Sequence, residues 1–108
     1  MITFTLWRSG QQYRGFSSKG HAGYADEGMD VVCAAVSALV INTVNAVEAF
    51  TEDPFEVEQA EDGGFLQLTF PEAPGERAAL LMDSLVLGMQ QIEAEYGNQF
   101  VTLVYEEV

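Results

Sequence analysis

The sequence predicts a single α+β domain, with the order ββαββαβ and two helices packed on a mainly antiparallel sheet. Three kinds of observation predict it: short stretches with an apolar residue at every second position, two long stretches with helical spacing, and turn residues between them. The chain has 108 residues, the length of one domain, and 48% of them are hydrophobic against 19% charged. This composition is typical of a folded chain rather than a disordered one, so we assign residues 1–108 to one domain.

The chain begins with a predicted hairpin. Residues 2–7 carry an apolar side chain at every second position, which indicates a half-buried strand. Ser9-Gly10 provides a turn, and residues 12–18 return as a second strand. Three glycines then fall within residues 20–28, which predicts a loop rather than a regular element.

A long helix follows this loop. Asp30 is a favourable N-cap, and neither Gly nor Pro interrupts the chain from there to about Phe50. The many β-branched residues would tolerate a strand, but the stretch is too long for an ordinary one. The apolar stripe is wide enough to predict burial of more than half the circumference, so we expect the helix to be central or partly covered by a second subunit. The stripe consists of Val32, Val36, Leu39, Val40, Thr43, Val44 and Val47.

The rest of the chain predicts a hairpin, a helix and a last strand. Residues 55–70 alternate in polarity on both sides of a turn at residues 62–64. Apolar residues recur three and four positions apart over residues 78–96, which indicates an amphipathic helix that Gly97 ends. Residues 100–105 then form the final strand.

The net charge of −13 is distributed unevenly along the chain. Residues 1–24 contain three cations and no carboxylate, whereas residues 25–108 contain all 17 acids and one cation, Arg77. This balance argues against direct nucleic-acid binding, because contacts to phosphate need clustered Lys and Arg. The acidic surface either serves solubility alone or attracts a basic partner.

We expect the protein to be cytoplasmic and not to bind a membrane. The uncharged stretch from Ala34 to Val47 is too short to span a bilayer and contains four polar residues. The first residues do not have the pattern of a secretory leader. The lone cysteine excludes a disulfide within the chain, so Cys33 is either a small core residue or a reactive thiol.

The one cysteine and the one histidine stand at the two ends of the glycine-rich segment. With Asp30 as N-cap, Cys33 would lie in the first helical turn, where free N–H groups and the helix dipole favour a thiolate and could hold an oxyanion. His21 lies twelve residues earlier, close enough for the loop to fold back and form a Cys–His pair. The alternative is a packed cysteine and an ordinary loop histidine.

The sequence defines metal ligands, and residues that would support the Cys33–His21 pair, less clearly. A zinc site would need more Cys or His ligands than this chain has, even with Asp26, Glu27 and Asp30, so we expect no metal and no cofactor. Asp30 either caps the helix only or also orients His21. Ser37, one turn after Cys33 on the same face, either bonds near the site or returns a bond to its own helix.

At these residues the chain closely resembles the ribosomal-processing cysteine proteases of Firmicutes and relatives, called Prp. The matching segments are Gly20-His21-Ala22-Gly23 and Gly28-Met29-Asp30-Val31-Val32-Cys33-Ala34-Ala35-Val36-Ser37-Ala38. The length and the ββαββαβ order also agree, so the resemblance covers nearly the whole chain. Outside residues 20–48 it is a resemblance of pattern rather than of identical residues.

The resemblance implies a cysteine endopeptidase domain that removes the short N-terminal extension of a large-subunit ribosomal protein. Cys33 matches the nucleophile of the family and His21 its general base, while Asp30 and Ser37 match the pattern without an implied role. The resemblance further implies a homodimer, no cofactor, and a basic precursor with aromatic residues at the cleaved bond. A non-catalytic ribosome-assembly protein, whose acidic surface recognises a basic ribosomal protein, is the alternative.

The loop between His21 and Cys33 resembles the family segment that covers the substrate. Within it, Gly23, Tyr24, Gly28 and Met29 are the candidate substrate-loop residues. Tyr24 and Met29, with Phe16 and Trp7, are also candidates to form a pocket for an aromatic side chain, although any of them is equally suited to the core.

Overall fold

The described residues follow the predicted order ββαββαβ. The structure, a computed structural model, describes residues 1–20, 27–61 and 63–108, and of residues 27–30 only the backbone. Within that part there are five strands and two helices. They are β1 (Ile2–Ser9), β2 (Gln12–Lys19), α1 (Glu27–Phe50), β3 (Glu56–Gln59), β4 (Phe65–Thr69), α2 (Glu76–Tyr96) and β5 (Val101–Glu107).

The strands form a single mixed sheet in the order β3-β4-β2-β1-β5. Three neighbouring pairs are antiparallel, and β1 pairs with β5 in parallel. The mainly antiparallel sheet is thus confirmed. The parallel pair joins the two ends of the chain, and no local pattern in the sequence could indicate that pairing.

One face of the sheet carries the core. Leu6 pairs with Phe16, and Phe16 with Leu68, so these fully buried side chains lie in a row across three strands. Phe4 packs beside them, with its ring stacked on Phe16 at a centroid distance of 5.3 Å. Residues of both helices belong to the same buried cluster, so both helices cover this face. Each fully buried apolar side chain of this kind contributes about 1.5–3 kcal/mol.

Helix α1 presents a narrower buried stripe than its sequence predicts. Val32, Val36, Val40, Thr43 and Val47 are buried, whereas Leu39 and Val44 are only partly so. The predicted burial of more than half the circumference of α1 is therefore not observed within this chain, and much of the apolar surface of the helix is exposed. The segment Val31–Phe50 has a mean hydropathy of 1.7, so by length and composition it could cross a membrane. Its buried stripe, however, packs on the sheet as in a core helix.

Helix α2 agrees closely with its prediction. Its apolar positions are buried along one face, and Gly97 ends it with a φ of 99° and an N–H that donates to the Glu93 carbonyl. Gly88 faces α1, where an added Cβ would lie 2.6 Å from Leu39 Cδ2. The buried positions are Ala78, Met82, Leu85, Val86 and Met89.

Candidate active site

Cys33 lies on α1 but not where the sequence places it. The helix begins at Glu27, so Asp30 is inside the helix and is not its N-cap. Cys33 therefore lies in the second turn, where its N–H pairs with the carbonyl of residue 29. The free N–H groups belong instead to the residues at the start of the helix, before Asp30.

This earlier start has a local physical reason. Glycine lowers helix stability by only about 1 kcal/mol, so Gly28 does not by itself stop a helix. A carboxylate such as that of Glu27 is also favourable beside the first N–H groups. The helix dipole acts mainly over the first turn, and Cys33 lies beyond that turn. An oxyanion held by the Cys33 N–H is excluded, because that group is used within the helix.

Cys33 is a free, half-buried thiol that packs against the core cluster. Its neighbour Val32 is fully buried, so the thiol lies at the border between the stripe that packs on the sheet and the exposed face of α1. Ser37 is exposed and follows Cys33 by one turn on the same face, as predicted. The position of Cys33 suits a reactive thiol, since one side is anchored and the other is open to a substrate.

Strand β2 leads directly to His21. Lys19 is the last residue of the strand, and Gly20 follows with a φ of 102°. The Gly20 N–H donates to the Gly64 carbonyl at 2.8 Å, and a Cβ on Gly20 would overlap the Met1 carbonyl oxygen. The residue before His21 is thus held between the first residue of the chain and the turn after β3, in a conformation that glycine adopts readily.

Several predicted site residues lie outside the described part of the structure. They are His21, Gly23 and Tyr24, and of Gly28, Met29 and Asp30 only the backbone is described. The Cys33–His21 pairing, the substrate loop and an orienting role for Asp30 therefore stay predictions.

Two of the proposed pocket residues have other roles. Phe16 is fully buried in the core and stacks on Phe4. Trp7 lies near the other end of β1, where its indole N–H donates to Glu106 Oε2 at 3.0 Å. Neither contributes to a pocket beside Cys33, because Phe16 is enclosed and Trp7 belongs to the opposite face of the sheet from Leu6.

Three of the four cations of the chain contact groups away from Cys33, whereas Lys19 is exposed at the end of β2, two residues before His21. Arg14 donates to the carbonyls of Phe70 and Pro71, and Arg77 donates to the carbonyl of Phe50. Arg8 lies over the Tyr13 ring. The described side chains include no group of three His, Cys, Asp or Glu arranged to hold a metal ion.

Comparison with known proteins defines the class of this fold. A crystal structure of the essential ribosomal processing protease Prp from S. aureus, with a covalently linked product peptide, matches with a TM-score of 0.88. The two share 27% identity over 98% of this chain and 100% of that one. The same protease with a substrate peptide gives a TM-score of 0.89 at 26% identity, again over 98% of this chain and 100% of the other. The class is therefore that of proteases.

The particular family follows from the sequence match. The family model described as cysteine protease Prp matches residues 1–101, and the chain belongs to this family. The ribosomal processing cysteine protease Prp of Bacillus subtilis (strain 168) is 35% identical over 103 residues, which cover 91% of this chain and 92% of the relative. The resemblance to this family is thus confirmed over nearly the full length of the chain.

Proposed function

We propose that this cysteine protease is an endopeptidase that removes the short N-terminal extension of a large-subunit ribosomal protein, with Cys33 as nucleophile and His21 as general base. One observation carries the assignment: a cysteine protease needs a thiol, and the chain contains one cysteine. The same reasoning applies to His21, since it is the one histidine available to accept the thiol proton.

The chemistry proceeds in two halves. His21 accepts the proton of the Cys33 thiol, and the thiolate attacks the carbonyl carbon of the bond to be cleaved. The tetrahedral intermediate collapses when His21 returns the proton to the leaving amine, which departs as the new N-terminus of the ribosomal protein. Water, deprotonated by His21, then releases the extension from the thioester and restores the thiol. No metal or cofactor enters these steps.

The substrate is a basic protein precursor. The B. subtilis relative is named a ribosomal processing protease, and the S. aureus structures hold substrate and product peptides. The net charge of −13 supports the same substrate, because an acidic enzyme attracts a basic chain as the two approach each other. In the assignment Ser37 and Asp30 are supporting residues, and the loop with Gly23, Tyr24, Gly28 and Met29 covers the bound peptide.

Mass spectrometry of the extended ribosomal protein tests the proposal. The enzyme is expected to produce one new N-terminus, whereas Cys33→Ala should lower the rate by about 10⁴-fold or more and His21→Ala by about 10²–10⁴-fold. Cys33→Ser, which keeps the size and loses the thiol, is the matched control for folding. Iodoacetamide should alkylate Cys33 at about pH 7 faster than free cysteine, and His21→Ala should remove that advantage.

The opposite result identifies the alternative function. If the enzyme and Cys33→Ala both leave the precursor intact while binding it stably, the protein is a ribosome-assembly factor and Cys33 is a packing residue. Slow alkylation of the enzyme and of His21→Ala alike would agree with that outcome.

A further inference from the structure

The residue that leads into His21 is held on two sides. On one side, the Gly20 N–H donates to the Gly64 carbonyl at 2.8 Å, which continues the antiparallel ladder between β2 and β4 by one residue. On the other side, an added Cβ on Gly20 would overlap the Met1 carbonyl oxygen, so the two backbones are in close contact. Gly20 is therefore fixed between β4 and the residue before β1, and His21 is the next residue of the chain.

The Gly64 carbonyl belongs to the β3–β4 turn, whose described residues are 60, 61, 63 and 64. Two backbone hydrogen bonds close this turn: the Gly63 N–H donates to the Ala60 carbonyl at 3.1 Å, and the Ala60 N–H donates to the Phe65 carbonyl at 2.9 Å. Gly63 has a φ of 80°, which lies in the left-handed region where a side chain causes strain. The turn thus needs glycine at residue 63 to direct the following carbonyl toward Gly20.

The same turn lies against α1. Gly63 and Ser37 line one small cavity, of about 130 Å³, between the turn and the helix. Ser37 follows Cys33 by one helical turn on the same face. The β3–β4 turn therefore contacts the helix that carries the thiol and, through Gly64, the strand end that leads to His21. A shift of this turn would change the spacing between these two elements.

We propose that Gly63 is a positioning residue of the protease, because the turn that it allows sets where the chain enters His21. The inference rests on the proposed function, in which His21 is the general base for Cys33. In this role Gly63 acts through Gly64 and Gly20 rather than by contact with the reacting atoms. A general base must lie within hydrogen-bond reach of the proton that it accepts, so a displacement of about 1 Å can lower the rate about 100-fold.

Gly10 provides a matched control position. It lies in the turn between β1 and β2, at the opposite end of β2 from Gly20, roughly 25 Å away by the length of an eight-residue strand. Its φ is 63°, and an added Cβ would meet no atom within 4 Å at either Gly10 or Gly63. Alanine at either position therefore brings the same kind of backbone strain without a steric clash. Both variants should lower Tm by a similar amount, about 4–8 °C.

Kinetics of the two alanine variants test the role of Gly63. On the extended ribosomal protein, Gly63→Ala should lower kcat about 10- to 100-fold with KM changed less than about twofold. Gly10→Ala should stay within about twofold of the wild type in both constants, because its turn lies far from Gly20. Gly63→Asn should lower kcat only about two- to threefold, since asparagine adopts a positive φ more readily than alanine.

The pH dependence of Cys33 alkylation by iodoacetamide gives a readout that needs no substrate. In Gly63→Ala its midpoint should rise by about one pH unit, toward that of His21→Ala, because a displaced imidazolium stabilises the thiolate less. In Gly10→Ala the midpoint should stay at the wild-type value. A loss of stability alone would move Tm in both variants and the alkylation midpoint in neither.

Three results would contradict the positioning role while the protease remains. The first is equal kcat and equal alkylation midpoints for Gly63→Ala and Gly10→Ala. The second is a Gly63→Asn enzyme as slow as Gly63→Ala, because the conformation of residue 63 would then not be the cause. The third is a Gly63→Ala protein that is unfolded where Gly10→Ala is folded, since the turn would then serve stability. If instead the wild type and His21→Ala cleave and alkylate alike, the proposed function fails, and this inference with it.

Discussion

At the scale of single residues, the ends of the two helices are held by side chains from elsewhere in the chain. The N–H of Gly75, the N-cap of α2, donates to Asp53 Oδ2 at 3.1 Å. In return, Arg77 in the first turn of α2 donates to the carbonyl of Phe50, the last residue of α1. The last turn of α1 has no basic residue of its own, so Arg77 supplies the cation that its carbonyl end favours. The two helix ends are thus fixed to each other.

Removal of the Asp53 carboxylate should loosen this junction. We expect Asp53→Ala to lower the free energy of unfolding by about 1 kcal/mol, the usual net contribution of one hydrogen bond, and Asp53→Asn to cost less because an oxygen acceptor remains. Urea denaturation followed by circular dichroism measures both. Glu52→Ala, an exposed neighbouring acid, is the control for charge alone. The hydrogen bond from Gly75 to Asp53 would contribute nothing to stability if Asp53→Ala unfolded at the same urea concentration as Glu52→Ala.

At the scale of elements, the close contact between β2 and β4 depends on Gly15. A Cβ at this position would lie 2.5 Å from the Leu68 carbonyl oxygen and 3.1 Å from Thr69 Cα. Both are backbone atoms of a paired strand, so they can move only if the sheet moves. Gly88 differs, because its added Cβ would meet the flexible end of the Leu39 side chain.

Alanine substitutions at Gly15 and at Gly88 compare how well each position tolerates an added Cβ. Gly15→Ala should lower the free energy of unfolding by about 1–3 kcal/mol, the cost of overpacking against a rigid neighbour. Gly88→Ala should cost less, since Leu39 can rotate away and alanine favours a helix by about 1 kcal/mol over glycine. Thermal unfolding of the two variants gives the comparison. A Gly15→Ala protein as stable as the wild type would show that the β2–β4 spacing adjusts freely.

The elements also show what a sequence can and cannot predict. The strands, both helices and the end of α2 at Gly97 follow from local patterns, because periodicity and turn residues act over a few positions. The start of α1 does not, since the glycines around Gly28 favour a loop locally while the observed helix extends back to Glu27. The β1–β5 pairing and the hydrogen bond from Gly75 to Asp53 are contacts between distant residues. The spacing of Cys33 and Ser37 predicts a shared helical face, but no local pattern indicates that β3 and β4 lie beside that face.

At the scale of the whole molecule, α1 has more apolar surface than this chain covers. Only 28% of its most apolar part, within Val31–Phe50, is buried, although the mean hydropathy of that part is 1.7. Val31, at 52% exposed, begins an outward-facing row that continues through the exposed Ala34 and Ala38. We propose that a second copy covers this row, as the resemblance implies. Small residues of this kind allow two helices to approach closely.

A charge in this row should separate the two copies. We expect the wild-type protein to sediment at micromolar concentration with twice the mass of the chain. Ala38→Arg should shift it toward the single chain, because dimerisation would bury a guanidinium without a partner. Ser84→Arg adds the same charge to an exposed position of α2 and should remain dimeric. A wild-type protein with the mass of one chain would contradict the dimer, and dissociation by Ser84→Arg but not by Ala38→Arg would place its interface on α2.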